Sequence, residues 1–117
     1  MLNDKATELG RLIGQSPEYQ AVKRASDALN EDKEAVDLLQ QMERLRRDAQ
    51  QTMARGEQPS AELEAELDRL LEKVQVNAAY QRMMVANENF DKVMTQVNQW
   101  MVDGIKKGAT SSIITLG

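Results

Sequence analysis

Cysteine and histidine are both absent from the 117 residues of this chain. Without them the chain cannot form disulfides, thiolate or imidazole zinc sites, cysteine-ligated iron–sulfur clusters or a Ser/His/Asp triad. Carboxylates are the remaining candidates for acid–base chemistry, and no nucleophile motif or phosphate-binding loop accompanies them. The sequence therefore predicts a protein that is not an enzyme and that holds no metal or other cofactor.

Aromatic residues are scarce as well, at 3%, so a core must be built from Leu, Val, Ala and seven Met residues. This palette suits helix packing better than a β-sandwich. No apolar run approaches the roughly 20 residues that a membrane span needs, and the first residues do not resemble a signal peptide. The net charge of −4 disfavours wholesale binding to nucleic acid phosphates. We expect an all-α, cytoplasmic protein without a membrane segment.

Helix start and stop signals recur along the chain. Gly14 ends a first apolar stripe, Asn30 is predicted to cap a helix from Glu31 to Arg55, and Gly56 supplies its terminator. The loop GEQPS then leads to Ser60, the cap of the next helix, so residues 31–75 are predicted to form a helical hairpin. The sequence predicts a multihelical bundle with long helices and coiled-coil-like, oligomeric packing.

The pentapeptides SPEYQ, at residues 16–20, and NAAYQ, at residues 77–81, are nearly the same. Ser16 followed by Pro17 is the typical cap and first-turn pattern of a helix start, and Asn77 occupies the same position in the second copy. Tyr19 and Tyr80 are expected to turn inward from matching first turns. The repeat predicts a reused helix start, and whether it also marks an internal duplication is left open.

The last helix carries apolar residues at alternating steps of three and four, which is typical of a coiled-coil seam. A helix of about 30 residues is roughly 45 Å long, whereas a compact chain of this length would be about 35 Å across. Either the monomer is elongated and exposes the stripe, or stripes from two or more chains pack together. The second arrangement avoids a large exposed apolar patch and is favoured, although part of the stripe can be ordinary core. The candidate self-association or partner surface comprises Met83, Phe90, Met94, Val97, Trp100 and Met101.

A second candidate surface is a group of arginines that could contact RNA or an acidic partner: Arg44, Arg46, Arg47 and Arg55. Two predicted i,i+4 ion pairs, Glu43 with Arg47 and Arg44 with Asp48, would offset part of this charge. No aromatic residues are interleaved to stack bases, so nucleic acid binding is the weaker alternative.

Gly108 is predicted to end the last helix, which gives one helical domain over residues 1–108 and a tail over residues 109–117. The tail sequence ATSSIITLG contains two adjacent isoleucines, Ile113 and Ile114. It either clasps a neighbouring subunit, for example as an added strand, or is a disordered terminus.

The order of these segments resembles the YlbF/YmcA family and its YheA-like branch. The resemblance rests on LGRLIGQSPEYQAVKRASDALNEDKEAVDLLQQMERLR in the first half and NAAYQRMMVANENFDKVMTQVNQWM in the last helix. It covers roughly residues 2–108, and the positions that map are the helix-start landmarks Ser16, Pro17, Tyr19, Asn77 and Tyr80.

The resemblance implies a multihelical, oligomeric bacterial protein that acts as a non-catalytic regulator or accessory subunit. Better understood relatives assemble with each other, bind iron–sulfur clusters, influence competence, biofilm formation and sporulation, and assist messenger RNA processing by ribonuclease Y. Cluster binding does not transfer to a chain without cysteine. The implied partners are a second copy of the chain, family relatives or a ribonuclease complex.

Overall fold

A computed structural model describes the backbone of residues 1–116 and the side chains of residues 1–110. Within this range the chain forms helices and no strand, which confirms the all-α class. The five helices are α1 (Leu2–Gly14), α2 (Pro17–Glu31), α3 (Lys33–Ala54), α4 (Ala61–Gln75) and α5 (Ala78–Leu116).

The two similar pentapeptides start α2 and α5 in the same way. The Oγ atom of Ser16 accepts a hydrogen bond from the Tyr19 amide at 3.2 Å, and the Oδ1 atom of Asn77 accepts one from the Tyr80 amide at 3.0 Å. In both copies the glutamine side chain donates to a backbone carbonyl six residues earlier, at 2.8 Å. Each cap thus satisfies an amide that the first helical turn leaves without a partner, and the predicted helix starts are confirmed.

The predicted start of α3 is wrong by two residues. Asn30 remains helical inside α2, and Asp32 caps α3 by accepting a hydrogen bond from the Ala35 amide at 3.0 Å. Both Asn and Asp are good caps, but a carboxylate also interacts favourably with the positive end of the helix dipole. Asp32, with φ of −87° and ψ of 104°, is the single extended residue between the two helices.

The hairpin of α3 and α4 closes where it was predicted to close. Gly56 has a φ of +83°, and its amide donates to the Met53 carbonyl while the Glu57 amide donates to the Thr52 carbonyl. These two bonds form a Schellman motif, in which glycine supplies the left-handed residue that ends the helix. Ser60 then caps α4 through the Leu63 amide at 3.1 Å.

The core has two parts that meet near the start of α5. Between α3 and α4 it contains Leu38, Met42, Leu70 and Val74, and Tyr80 of α5 packs against this cluster. Between α2 and α5 the buried residues are small: Ala25, Ala79 and Ala86.

Helices α2 and α5 run antiparallel. The ring of Tyr19, at the start of α2, makes an edge contact with the ring of Phe90 at a centroid distance of 5.4 Å. At the other end, the Asn77 amide group donates to the Oδ2 atom of Asp32 at 3.4 Å. The cap of α3 is therefore bonded to the cap of α5.

Helix α5 is longer than predicted, because it continues through Gly108 to Leu116. A single glycine costs a helix about 1 kcal/mol relative to alanine, which its neighbours in a long helix can offset. The predicted tail contacts of Ile113 and Ile114 lie outside the residues with described side chains, and the domain boundary at residue 108 stays a prediction.

The molecule is elongated, with extents of 67 × 38 × 20 Å and a radius of gyration of 21.3 Å. A compact domain of this length would have a radius of gyration of about 13 Å. Much apolar surface therefore lies far from the core.

Candidate protein-interaction surfaces

The predicted seam of α5 divides into an inner part and an outer part. Met83, Phe90 and Met94 are half-buried, and Val97 is only 6% exposed. These side chains are engaged within the chain, so they are less accessible to a partner in this conformation.

Beyond Val97 every residue of α5 up to Thr110 is exposed. We call residues 98–110 the exposed α5 segment. Four large apolar side chains lie here: Trp100 (63% exposed), Met101 (50%), Val102 (42%) and Ile105 (67%). Met101 and Ile105 follow Val97 at steps of four, so the outer seam continues the inner one on the same helix face. The apolar stripe of α5 thus extends beyond the part of the helix that packs within the chain. Exposed apolar surface of this kind is typical of an interaction surface.

The sequence-based candidates included Trp100 and Met101 but not Val102 or Ile105. Ile105 could have been found by extending the period past Gly104. Val102 could not have been found in this way, because it does not continue the three-and-four spacing of the seam.

An open groove of about 680 Å³ lies between α2 and α5, and the sequence did not reveal it. Small side chains form most of its lining, together with Val85, which is 57% exposed. Two arginines, Arg24 and Arg82, are the charged residues that line it, and no carboxylate does. The full lining is Ala21, Arg24, Ala25, Ala28, Ala78, Gln81, Arg82, Val85, Ala86 and Asn89.

The groove continues towards the junction of α4 and α5. A smaller recess there shares Gln81 and Val85 with it and adds Gln75, Tyr80 and Met84. Val76, at the junction itself, is 77% exposed. Sequence periodicity could not show this groove, because it depends on how two helices distant in sequence pack.

The four candidate arginines are all exposed, but they do not form one stripe. At 100° per residue, Arg46 projects from the side of α3 roughly opposite Arg55. Glu43 pairs with Arg47 at 3.9 Å, as predicted. The predicted pair of Arg44 with Asp48 is wrong: both side chains are described, and they form no ion pair with each other.

Helix α4 presents an acidic outer face. Its buried residues, Leu70 and Val74, contact α3, while Asp68 and Glu72 project to the opposite side with Ala61 and Ala65. Arg69 borders this face and bonds Glu66, with a distance of 3.1 Å between its Nε atom and the Glu66 Oε2 atom. This hydrogen bond holds the pKa of Glu66 below its ordinary value.

Neither a metal site nor a membrane-spanning helix occurs among the described residues. Those residues contain no group of three or more acidic, histidine or cysteine side chains placed to hold a metal ion. None of the described helices is both long and apolar enough to cross a membrane.

Comparison with known proteins gives one family for nearly the whole chain. The model of the family described as "Control of competence regulator ComK, YlbF/YmcA" matches residues 2–106. Among individual relatives, a UPF0342 protein of Limosilactobacillus fermentum is 32% identical over 96 residues, which are 82% of this chain and 80% of that protein. Another, from Streptococcus gordonii, is 28% identical over 103 residues, or 88% of this chain and 92% of the relative.

A solved structure supports the fold. It is a protein of unknown function (DUF964) from Bacillus stearothermophilus, which matches with a TM-score of 0.67 at 18% identity and covers 90% of this chain and 92% of its own. The helical architecture described above is thus shared with a known protein. Taken with the family match over residues 2–106, these findings make the chain a member of the YlbF/YmcA family.

Proposed function

We propose that this chain is a non-catalytic regulatory or scaffold subunit of the bacterial cytoplasm, which self-associates and binds protein partners through helical surfaces. The exposed α5 segment is the observation that carries the proposal. Trp100 and Ile105 are each more than 60% exposed on a helix that extends beyond the core. Large contiguous apolar surface favours association, and tryptophan is among the residues that most often anchor an interface.

The family description, control of the competence regulator ComK, supports a regulatory role. Regulators without an active site act by binding, and a helical surface offers anchors at regular spacing for another helix. Family relatives and a ribonuclease complex are the partners that we propose, together with a second copy of this chain.

Self-association can be tested by sedimentation velocity of the full chain across a range of concentrations. We expect an oligomer that the Trp100→Asp/Ile105→Asp variant converts to a monomer, because carboxylates in an apolar interface lose their hydration. Met53→Asp is a matched control, since Met53 is 57% exposed at the far end of α3. A wild-type monomer at high concentration, or equal effects of both variants, would contradict the proposal.

Partner binding needs a separate test in the native cytoplasm. We expect affinity capture with cross-linking to recover family relatives or a ribonuclease, and the Trp100→Asp/Ile105→Asp variant to recover less of them. Recovery of the protein alone from several growth conditions would contradict the accessory-subunit role and leave only self-association.

The second candidate function is RNA contact through Arg44, Arg46, Arg47 and Arg55. Their exposure favours it, because phosphate-binding side chains must be accessible. In a gel-shift assay at low salt we would expect binding that Arg47→Glu weakens. Binding that is absent, or unchanged in Arg47→Glu, would remove this alternative.

A further inference from the structure

The groove between α2 and α5 differs from the rest of the surface in its charge. The chain carries a net charge of −4, yet among the described side chains Arg24 and Arg82 are the only charged ones that line this groove. Both are exposed, and among the side chains of residues 1–110 neither forms an ion pair. The groove therefore offers two unneutralised cations beside an apolar floor.

The alanine floor favours close approach of another helix. Ala25 and Ala86 lie at its base, and both are less than 10% exposed. Small residues at a contact let two helix backbones approach near the lower end of the 8–10 Å range of helix separations. Val85, more than half exposed at the rim, would be covered by such a helix.

The grooves of two copies of the chain cannot pack well against each other. In a symmetric contact the same patch meets itself, so Arg24 and Arg82 of both copies would be brought together. Four like charges around one apolar contact repel each other. The complementary surface must supply carboxylates next to small side chains.

The outer face of α4 has this composition. Ala61 and Ala65 lie in the first half of the side turned away from α3, Asp68 and Glu72 follow them in its second half, and all four residues are exposed. The helix is 15 residues long, or about 22 Å, which exceeds the roughly 17 Å that the groove spans along α5 from Ala78 to Asn89. Lys73 lies off this face, and Arg69, which borders it, is paired with Glu66 of the same helix.

We propose that the groove between α2 and α5 is a docking site for the outer face of α4 from a second copy of the chain, with Asp68 and Glu72 near Arg24 and Arg82. This inference rests on the proposed self-association and specifies one of its surfaces. Since groove and α4 are both present on every copy, two copies can exchange α4 contacts in a closed, twofold pair. The exposed α5 segment then remains available for a further contact.

The absence of native cysteine allows a direct test by disulfide trapping. Full-length Val85→Cys, in the groove, is mixed under oxidising conditions with full-length Ala65→Cys, on α4. We expect a mixed disulfide between the two chains in clear excess over that formed by Val85→Cys with Gln50→Cys, an exposed control position on α3. Equal yields for the two mixtures would overturn the docking proposal.

Charge reversal provides the second arm. Adding Arg24→Glu/Arg82→Glu to the Val85→Cys chain should lower the mixed disulfide roughly tenfold, since attraction becomes repulsion at two positions. Adding Asp68→Arg/Glu72→Arg to the Ala65→Cys chain should then restore it. If reversal has no effect, or the swapped pair is not rescued, the α4 face is not the occupant.

Sedimentation of the same samples separates this inference from the proposed function. An oligomer that persists without a selective mixed disulfide overturns the docking site and retains self-association. A monomer at all concentrations overturns both. Circular dichroism of each variant confirms that the chains compared are equally helical.

Discussion

At the residue scale, the bond between Asn77 and Asp32 distinguishes the two copies of the pentapeptide. Ser16 caps α2 and makes its other bond locally, to the Ile13 carbonyl at 2.6 Å, whereas Asn77 caps α5 and also donates to the cap of α3, 45 positions earlier in the chain. Asn77 is only 9% exposed, so its amide would lack a partner without Asp32 or water. The helix start at residues 77–81 therefore makes a long-range contact that the start at residues 16–20 does not make.

We predict that Ser16→Ala lowers the free energy of unfolding by about 1 kcal/mol, the usual cost of losing a cap, and that Asn77→Ala lowers it by about 2 kcal/mol. Urea denaturation measures both. Asn77→Asp is the informative control, because it keeps the cap and places a second carboxylate beside Asp32. A loss for Asn77→Ala no larger than that for Ser16→Ala would mean that the Asp32 bond adds nothing.

Phe90→Ala should cost about 2 kcal/mol, less than the 3–5 kcal/mol expected for a fully buried ring. The ring is half-buried, and its edge contact with Tyr19 is part of the loss. A double-mutant cycle with Tyr19→Ala measures that part. If the denaturation midpoint of Phe90→Ala equals that of wild type, α5 does not pack on α2 as described.

The pKa of Glu66 also gives a residue-scale prediction. The hydrogen bond from Arg69 lowers this pKa from 4.5, so Arg69→Gln should raise it towards 4.5 in an NMR titration. A lowered carboxyl pKa contributes stability above the unfolded-state pKa and loses it as pH falls through the folded-state pKa. Both groups are exposed, so we expect a visible shift with little change in the unfolding midpoint. An unchanged pKa would show that the pair does not persist in solution.

At the element scale, glycine has opposite roles after the C-terminal end of α3 and within α5. Gly56 has a left-handed φ of +83°, whereas Gly104 and Gly108 lie within a continuous helix with no heavy atom near an added Cβ. Space is available at all three positions, so backbone conformation alone decides the effect of a side chain.

Gly56→Ala is therefore predicted to destabilise the chain by about 1 kcal/mol, because alanine is strained at this φ. Gly104→Ala/Gly108→Ala should leave the unfolding midpoint unchanged or raised, with increased helical ellipticity at 222 nm, since alanine gains up to about 1 kcal/mol per position in a helix. The same substitution thus acts in opposite directions. A gain at Gly56, or a loss of helicity in the α5 variant, would contradict the assigned conformations.

Local signals were sufficient to predict most elements from the sequence. Ser16, Ser60, Asn77 and Gly56 act through hydrogen bonds to residues three to five positions away, so their effect can be read from neighbouring letters. Errors arose where two local choices were close in free energy. Asn30 and Asp32 are both good caps, and Gly108 is a stop signal that a long helix can pass.

The surfaces were less accessible to sequence analysis. The spacing of three and four residues places Val97 and Met101 on one face of α5. It does not show at which residue of α5 the packing against the rest of the chain stops and the side chains become exposed. The groove with Arg24 and Arg82 depends on an antiparallel pairing of helices about fifty residues apart. Such pairings are set by tertiary packing, which no single window of sequence contains.

At the scale of the whole molecule, the single tryptophan lies in the exposed α5 segment. Tryptophan emission, excited at wavelengths that the two tyrosines do not absorb, therefore reports on that segment. As protein concentration rises, we predict a shift of the emission maximum to shorter wavelength and weaker quenching by acrylamide, because an associating copy covers the indole. Trp100→Phe keeps an apolar ring and should retain self-association in sedimentation. Emission independent of concentration in a sample that oligomerises would place the interface elsewhere.

The hairpin of α3 and α4 has a consequence for the order in which the chain can fold. Helices α2 and α5 form the most extensive helix pairing among the described residues, yet some forty-five residues separate Asp32 from Asn77. Closing a loop costs conformational entropy, and contacts far apart in sequence slow folding. The α3–α4 hairpin needs only the short turn at Gly56, and once formed it brings the ends of α2 and α5 together. We expect this hairpin to act as the folding nucleus, with the α2–α5 pairing completed afterwards.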